Sequence, residues 1–268
     1  MDLTVTSKTF QSKKTNLFII LSGIFLTNAI LAEIIGVKIF SGERTLGWEP
    51  AGWTIFGEYI LDFNLTAGAV IWPIVFITTD IINEYYGKKG VRKISFITAF
   101  FIAYIFFIIV IVTMLPPAQF WLNVNTPDPD GNAFNIDYAF NVIFRQGLGI
   151  IIGSLIAFLL GQLIDVYVFQ KLRKVTGPKM IWLRATGSTL VSQFIDSFVV
   201  LGIAFYIFGN WSWAQVASVG IINYIYKFSV AILLTPLLYL GHYLIDRYLG
   251  KDIAAQMTKE ASEDTSFL

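Results

Sequence analysis

The chain has 268 residues, of which 56% are hydrophobic and only 14% charged, and its mean hydropathy is +0.67. A soluble domain carries roughly 25% charged residues, so composition points to a membrane protein, and a net charge of +1 gives no basis for a nucleic-acid partner. The absence of cysteine excludes disulfides, thiol chemistry and Cys-ligated metals, and the single histidine, His242, is a poor start for a metal site, so no cofactor is expected.

The first sixteen residues are polar and carry Lys8, Lys13 and Lys14. The apolar run that follows is longer than a signal peptide's core and has no small-residue cleavage site, so it reads as a retained first span. A span needs about 20 mainly apolar residues. The runs 17–40, 65–83, 94–115, 142–169, 188–208 and 214–240 meet that need. The expectation is an all-α integral membrane protein with six transmembrane helices. Its parts are a segment 1–16, a transmembrane domain 17–249 and a polar tail 250–268 that frays as a helix. Segment 41–64, between the first two spans, is rich in Gly and Trp. Segment 116–141 holds Pro116-Pro117 and Pro127-Asp128-Pro129-Asp130-Gly131, strong turn chemistry.

Lys and Arg set the orientation. Fifteen of the nineteen lie in the N-terminal segment, the loops after spans two and four, and the tail; Arg44 alone lies in the alternate loops. Both termini are therefore expected in the cytoplasm, in a multi-pass protein of a prokaryotic cytoplasmic (inner) membrane. Trp48, Trp53, Trp121, Trp211 and Trp213 fall in the outer segments, as an aromatic belt would.

Charges within the spans are costly, about 2.5–3.5 kcal/mol each at the bilayer centre on insertion scales. Glu33, Lys38, Asp80, Asp165, Asp196 and Lys227 are of this kind. Span four carries Gly149, Gly153, Ala157, Gly161 and Asp165 at four-residue spacing, hence on one face, with Gln162 a turn before Asp165. Span five echoes it with Ser188, Ser192, Asp196, Val200 and Ala204, and Gln193 three before Asp196. Counting from the cytoplasmic ends sets Gln162 level with Ser192, and Asp196 near Ala157. Span six adds Asn223, Lys227, Ala231 and Thr235, with Lys227 at the depth of Asp196. Pro73 is a candidate helix break exposing carbonyls to a ligand. Asp80 and Glu84 lie near the cytoplasmic surface, where solvation or pairing with Lys88 would account for them.

Small-residue ladders also serve helix packing, single amides glue helices together, and Asp196 with Lys227 forms a structural ion pair on the plainer reading. Carboxylates and amides converging on a lysine instead suit an uncharged planar ligand rich in N–H donors. The candidate substrate-binding residues are Asn28, Glu33, Asp80, Gln162, Asp165, Ser188, Gln193, Asp196 and Lys227. No Walker loop, H-E-x-x-H or G-x-S-x-G occurs, and the contexts of Asp165 and Asp196 do not match an intramembrane aspartyl protease, so no enzyme is expected.

Asp80-Ile-Ile-Asn-Glu-Tyr-Tyr-Gly87, Gly161-Gln-Leu-Ile-Asp-Val-Tyr-Val-Phe169, Trp182-Leu-Arg-Ala-Thr-Gly-Ser-Thr189, Ser192-Gln-Phe-Ile-Asp-Ser197 and Tyr226-Lys227 with Thr235-Pro236 and Tyr239 resemble the queuosine precursor transporter family, also called the vitamin uptake transporter family. The resemblance spans nearly the whole membrane domain. It implies a six-helix fold and import of 7-deazaguanine bases: 7-cyano-7-deazaguanine, 7-aminomethyl-7-deazaguanine or queuine. Segments 41–64 and 116–141 are longer than the family pattern. The chemistry is compatible: an Asp accepts the paired N1–H and amine of a guanine-like edge, a Gln complements its carbonyl, and Trp72 or Tyr224 stacks on the ring. Two alternatives stay open: a substrate-binding subunit of an energy-coupling-factor vitamin importer, which needs an ATPase module, and a non-transporting scaffold. The partners implied are the 7-deazapurine and the lipid bilayer, with an ATPase module or a homo-oligomer left open.

Overall fold

A computed structural model describes residues 3–55, 59–145, 147–176 and 180–263. Lys179, counted above for orientation, and tail residues 264–268 lie outside the described residues. The protein is an all-α membrane protein; among the described residues five helical stretches are long and apolar enough to cross a bilayer: Phe10–Ile35, Trp72–Val112, Ile136–Thr176, Ile181–Ile207 and Trp213–Leu233. Large apolar side chains such as Phe100 and Phe107 face outward along them.

Helix α1 (Leu3–Ile35) buries Leu17, Leu21, Phe25, Ala29 and Ala32, a single stripe at helical spacing. It packs on α3 (Trp72–Val112). The sequence places two spans where α3 runs as one element. A straight helix of its 41 residues would be about 60 Å long, twice the bilayer core. It is not straight. Gly87 takes φ 64° and ψ −165°, and a Cβ on Gly90 would lie 3.3 Å from Ile82 Cγ2. Residues eight apart in a continuous helix are separated by about 12 Å. The chain therefore doubles back at Gly87, and legs 72–86 and 88–112 lie side by side at this end. Pro73 sits in the first turn of α3, where a missing N–H breaks nothing; a single 3-10 turn, Ala67–Val70, precedes it.

The segment between α1 and α3 is built rather than loose. Strand β1 (Ile39–Ser41) pairs antiparallel with β4 (Asn64–Thr66), and β2 (Trp53–Ile55) with β3 (Tyr59–Leu61). Glu43, on the one-turn helix α2 (Gly42–Thr45), accepts the Phe63 amide at 2.7 Å, the Ser41 hydroxyl at 3.0 Å and the Ala51 amide at 3.3 Å. The Phe63 amide, most of all, holds its carboxyl below the usual range. Helices α4 (Gln119–Val124) and α5 (Ile136–Phe144) follow α3, separated by a turn in which Asp128 accepts the amides of Asp130 and Asn132.

Helices α6 (Leu148–Thr176) and α7 (Ile181–Leu201) form the tightest pair in the bundle. The glycine ladder explains it. A Cβ on Gly149 would meet Phe208 at 2.4 Å, and one on Gly153 the Val200 carbonyl at 3.2 Å. α7 continues as a wide-turned stretch, Gly202–Ile207. Helix α8 (Trp213–Leu233) starts on a capping box of Ser212 and Gln215. Pro236, which lacks an N–H, marks its junction with α9 (Thr235–Leu249).

The polar tail forms helix α10 (Lys251–Glu263), amphipathic and docked rather than free along its described length. Ala254, Met257 and Ala261 are buried, the last against the Gly87 turn, and Lys14 pairs with Glu260 at the surface. A Cβ on Gly87 would sit 3.0 Å from the Ala261 carbonyl. Gly87→Ala meets both that contact and a positive-φ, extended-ψ backbone that is essentially glycine-only, which costs a non-glycine residue about 1–3 kcal/mol. The expected outcome is a lower melting temperature for the purified protein. Gly47→Ala, also at positive φ but with nothing near its Cβ, should cost only the backbone strain.

Candidate functional site

α6 and α7 bring their polar ladders face to face, in a register one turn away from the sequence expectation. Ser192 donates to Oδ1 of Asp165 at 3.1 Å, and the Gly161 Cβ position lies 3.7 Å from the Asp196 Cβ. Asp196 thus opposes Gly161 rather than Ala157. Leg 72–86 of α3 closes the third side through Thr79, whose hydroxyl lies 3.4 Å from Oε1 of Gln162.

Three adjoining cavities line this seam. The first, about 20 Å³, is lined by Gln162, Asp165, Gln193 and Asp196 with Thr79, Thr189 and Ser192, under an aromatic wall of Trp72, Phe76 and Phe158. Trp72 stacks on Phe76 with centroids 5.8 Å apart and meets Phe158 at 6.1 Å. The second, about 290 Å³, opens beyond that wall toward the strands and is lined by Glu33, Asn223, Tyr226, Lys227 and Asp196 among apolar residues. The third, about 20 Å³, lies on the other side of Phe76 and Thr189 and contains Asp80 and Thr235.

Of the sequence candidates, Gln162, Asp165, Gln193 and Asp196 meet in the first cavity, and Glu33, Asp196 and Lys227 in the second. Asp80 faces the third. Ser188 is fully buried beside Asp165 and donates to the Ala185 carbonyl. Asn28 donates to the Ile24 carbonyl of its own helix and lines none of these cavities. Tyr224 packs edge-on against Phe194 rather than on a cavity. Asp196 and Lys227 form an ion pair with side chains 22% and 20% exposed. Oδ2 of Asp165 and Oε1 of Gln193 are buried and accept no hydrogen bond. Unmatched acceptors on a carboxylate and an amide are what a ligand with N–H donors would satisfy.

The α10 end of the seam is different. Glu84 is neither solvated nor left to Lys88. It is 5% exposed, and Arg184, 1% exposed, grips it with Nη2–Oε1 2.7 Å and Nε–Oε2 3.1 Å. Arg173 adds Nη2–Oε1 3.3 Å, donates Nη1 to the Glu84 carbonyl at 3.1 Å and donates Nη2 to the Thr258 carbonyl of α10 at 2.6 Å. Gln170 donates to Oδ1 of Asn83 at 2.6 Å. Sequence reasoning assigned Arg173 and Arg184 to a loop and missed this cluster. The available signal was the repeat of Gln162-x-x-Asp165 as Gln170-x-x-Arg173, which continues the same face. Tyr85 donates to Oδ1 of Asp246 at 2.6 Å and contacts Nδ1 of His242. Burial, with the two arginines, pushes His242 down to about 4, so its imidazole is neutral at physiological pH.

Residues 66–241 match the family described as putative vitamin uptake transporter. The chain belongs to this family. It is 30% identical over 187 residues to a probable queuosine precursor transporter of Bacillus subtilis, an alignment covering 68% of this chain and 75% of that one. A probable queuosine precursor transporter of Haemophilus influenzae is 29% identical, covering 64% and 66% respectively. The queuosine precursor transporter of Escherichia coli is 28% identical, covering 65% and 70%. No solved structure matches the chain. The family match takes in the polar seam from Trp72 to Lys227 and the Glu84 clamp; Asn28, Glu33, most of the strand segment and α10 lie outside it.

The two ion clusters differ in what they should tolerate. Breaking a fully buried pair typically costs about 3–5 kcal/mol, because the remaining charge has no partner, and the partly exposed Asp196–Lys227 pair costs less. Asp196→Asn and Lys227→Met should each lower the folded yield, and the double substitution should recover it. Glu84→Gln leaves two arginines unmatched, so no single second substitution should rescue it. Detergent size-exclusion profiles read both outcomes.

Proposed function

We propose that this protein imports queuosine precursors, 7-deazaguanine bases, across the cytoplasmic membrane. The observation that carries the reading is the convergence of Gln162, Asp165, Gln193 and Asp196 under Trp72, Phe76 and Phe158, within the stretch that matches the family. The names of the three relatives give the substrate class. Asp165 accepts the paired N–H donors of the guanine-like edge, Gln162 and Gln193 complement its carbonyl and ring nitrogens, and the aromatic wall stacks on its faces. The polar pocket itself, at about 20 Å³, has room for about one water, so the base's ring sits in the adjoining 290 Å³ cavity, at the low end for small ligands, which shares Trp72, Phe76, Phe158 and Asp196 with it.

The accompanying topology has six spans, with legs 72–86 and 88–112 as the second and third and both termini cytoplasmic. On it, the large cavity faces outside, and the Glu84 clamp with α10 closes the cytoplasmic end. Lys-rich stretches at 8–14, 88–93 and 171–174 then share one side.

Two experiments test this. Cells unable to make the deazaguanine core, expressing this chain, should regain queuosine in tRNA from low external precursor. Gln162→Ala and Asp165→Asn should lose most of that gain at near-normal membrane yield. No gain by wild-type protein present in the membrane would count decisively against the function. For topology, the natural chain lacks cysteine, so Asn132→Cys should react with an impermeant reagent from outside, and Lys174→Cys should not. The reverse pattern would overturn the orientation.

A further inference from the structure

Between the two ion clusters sit two carboxylates with no cation. Asp80 and Asp165 are each 6% exposed, and Oδ1 of Asp80 and Oδ2 of Asp165 meet no hydrogen-bond donor. Among the described residues neither takes part in an ion pair, whereas Glu84 is held by Arg184 and Arg173, and Asp196 by Lys227. The two acids face adjoining cavities that share Phe76 and Thr189. The charged neighbours of Asp80 are Asp165 on α6, Glu84 on its own helix and Arg184 on α7. Arg173 is committed to Glu84 and Thr258. α9 brings His242 and Asp246, both engaged by Tyr85, and α10 brings Glu260, paired with Lys14. α1 has no charged residue between Lys14 and Glu33.

We propose that Asp80 is a proton site coupled to transport, so that one proton enters with each substrate molecule. The inference rests on the transport reading above. Recognition of the N–H edge requires Asp165 to be a carboxylate, and binding fixes its negative charge in place. A second unmatched carboxylate beside it, away from water, is costly. Transfer of a proton from hydronium to Oδ1 of Asp80, leaving water, removes that charge. Coupling is reciprocal: a proton on Asp80 favours substrate at Asp165 by the same factor. Asp80 lies on the α10 side of the pocket, away from the large cavity, where the proton would leave with the substrate. A proton fits the site better than a metal cation. Metal cations of this kind gather several oxygens at once. The Asp80 cavity, at about 20 Å³, has one carboxylate with Thr186, Thr189 and Thr235, room for about one water. Among the described residues no group of three or more His, Asp or Glu side chains is placed to hold a metal ion.

The test uses the full-length protein in liposomes with labelled 7-cyano-7-deazaguanine, a neutral substrate. Counterflow without any gradient reads transport alone. Net uptake under an acid-outside gradient reads coupling, and a trapped pH dye reads proton entry on substrate addition. With one proton per substrate, accumulation should reach about tenfold per pH unit and collapse with a protonophore. Asp80→Asn should keep counterflow and lose the gradient response and the dye signal; Asp80→Glu should retain both. If Asp80→Asn fails to fold, Asp80→Ser must show the same loss. Wild-type counterflow with no response to pH, a response to a sodium gradient instead, or a full pH response in the neutral variants would overturn the proposal while leaving the transporter standing. Absence of wild-type counterflow would overturn both.

Discussion

The Glu84 carboxylate is the interaction on which the rest of the bundle depends. It lies one residue before Tyr85 and three before the Gly87 reversal, so whatever holds it also holds the point where α3 turns back. Arg184 binds both its oxygens from α7, and Arg173 reaches one of them from α6 while gripping the Thr258 carbonyl of α10. One anion thus ties four helices. A planar guanidinium is well suited to this role. Its donors are fixed in a fork, so two such groups can share a carboxylate and still satisfy backbone carbonyls. A buried pair of this sort is weak evidence for net stability; what its geometry fixes is where α3, α6, α7 and α10 meet.

Much of the fold was legible because it follows from solvent. A bilayer demands apolar runs of a given length, and the runs marked the helices. The runs also set a loop at 84–93, and the chain reverses inside it; what they could not show was the residue that turns it. The break inside α3 depends on one glycine at positive φ packed against Ala261, and nothing in hydropathy distinguishes Gly87 from Gly90. The strands at 39–66 were illegible for a different reason: three-residue strands carry too little periodicity to read, and their order comes from Glu43 collecting amides.

The site was legible in its chemistry and less so in its register. Four-residue spacing correctly set the α6 and α7 ladders on one face each. Their relative position shifted by a turn because counting from helix ends assumes that both ends are level. The true register is set by close approach at Gly149 and Gly153. Arg173 and Arg184 were read as loop charges because a cation near a helix end is usually solvated; burial of both against Glu84 is a tertiary fact. Asn28 failed to join the others for a simple reason: its amide satisfies itself on the Ile24 carbonyl.

The two ends of the seam are held with unequal strength, and the cavities follow from that inequality. At the α10 end a carboxylate shares two arginines, is almost wholly buried, and leaves only about 20 Å³ beside Asp80. At the strand end a single lysine meets Asp196, both partly exposed, and about 290 Å³ stays open around them. A lysine on a flexible stem holds its partner by charge more than by geometry, and can let go or follow it. Opening the α10 end means separating two forked contacts and releasing α10 from Arg173. The α10 end is therefore the more firmly closed of the two.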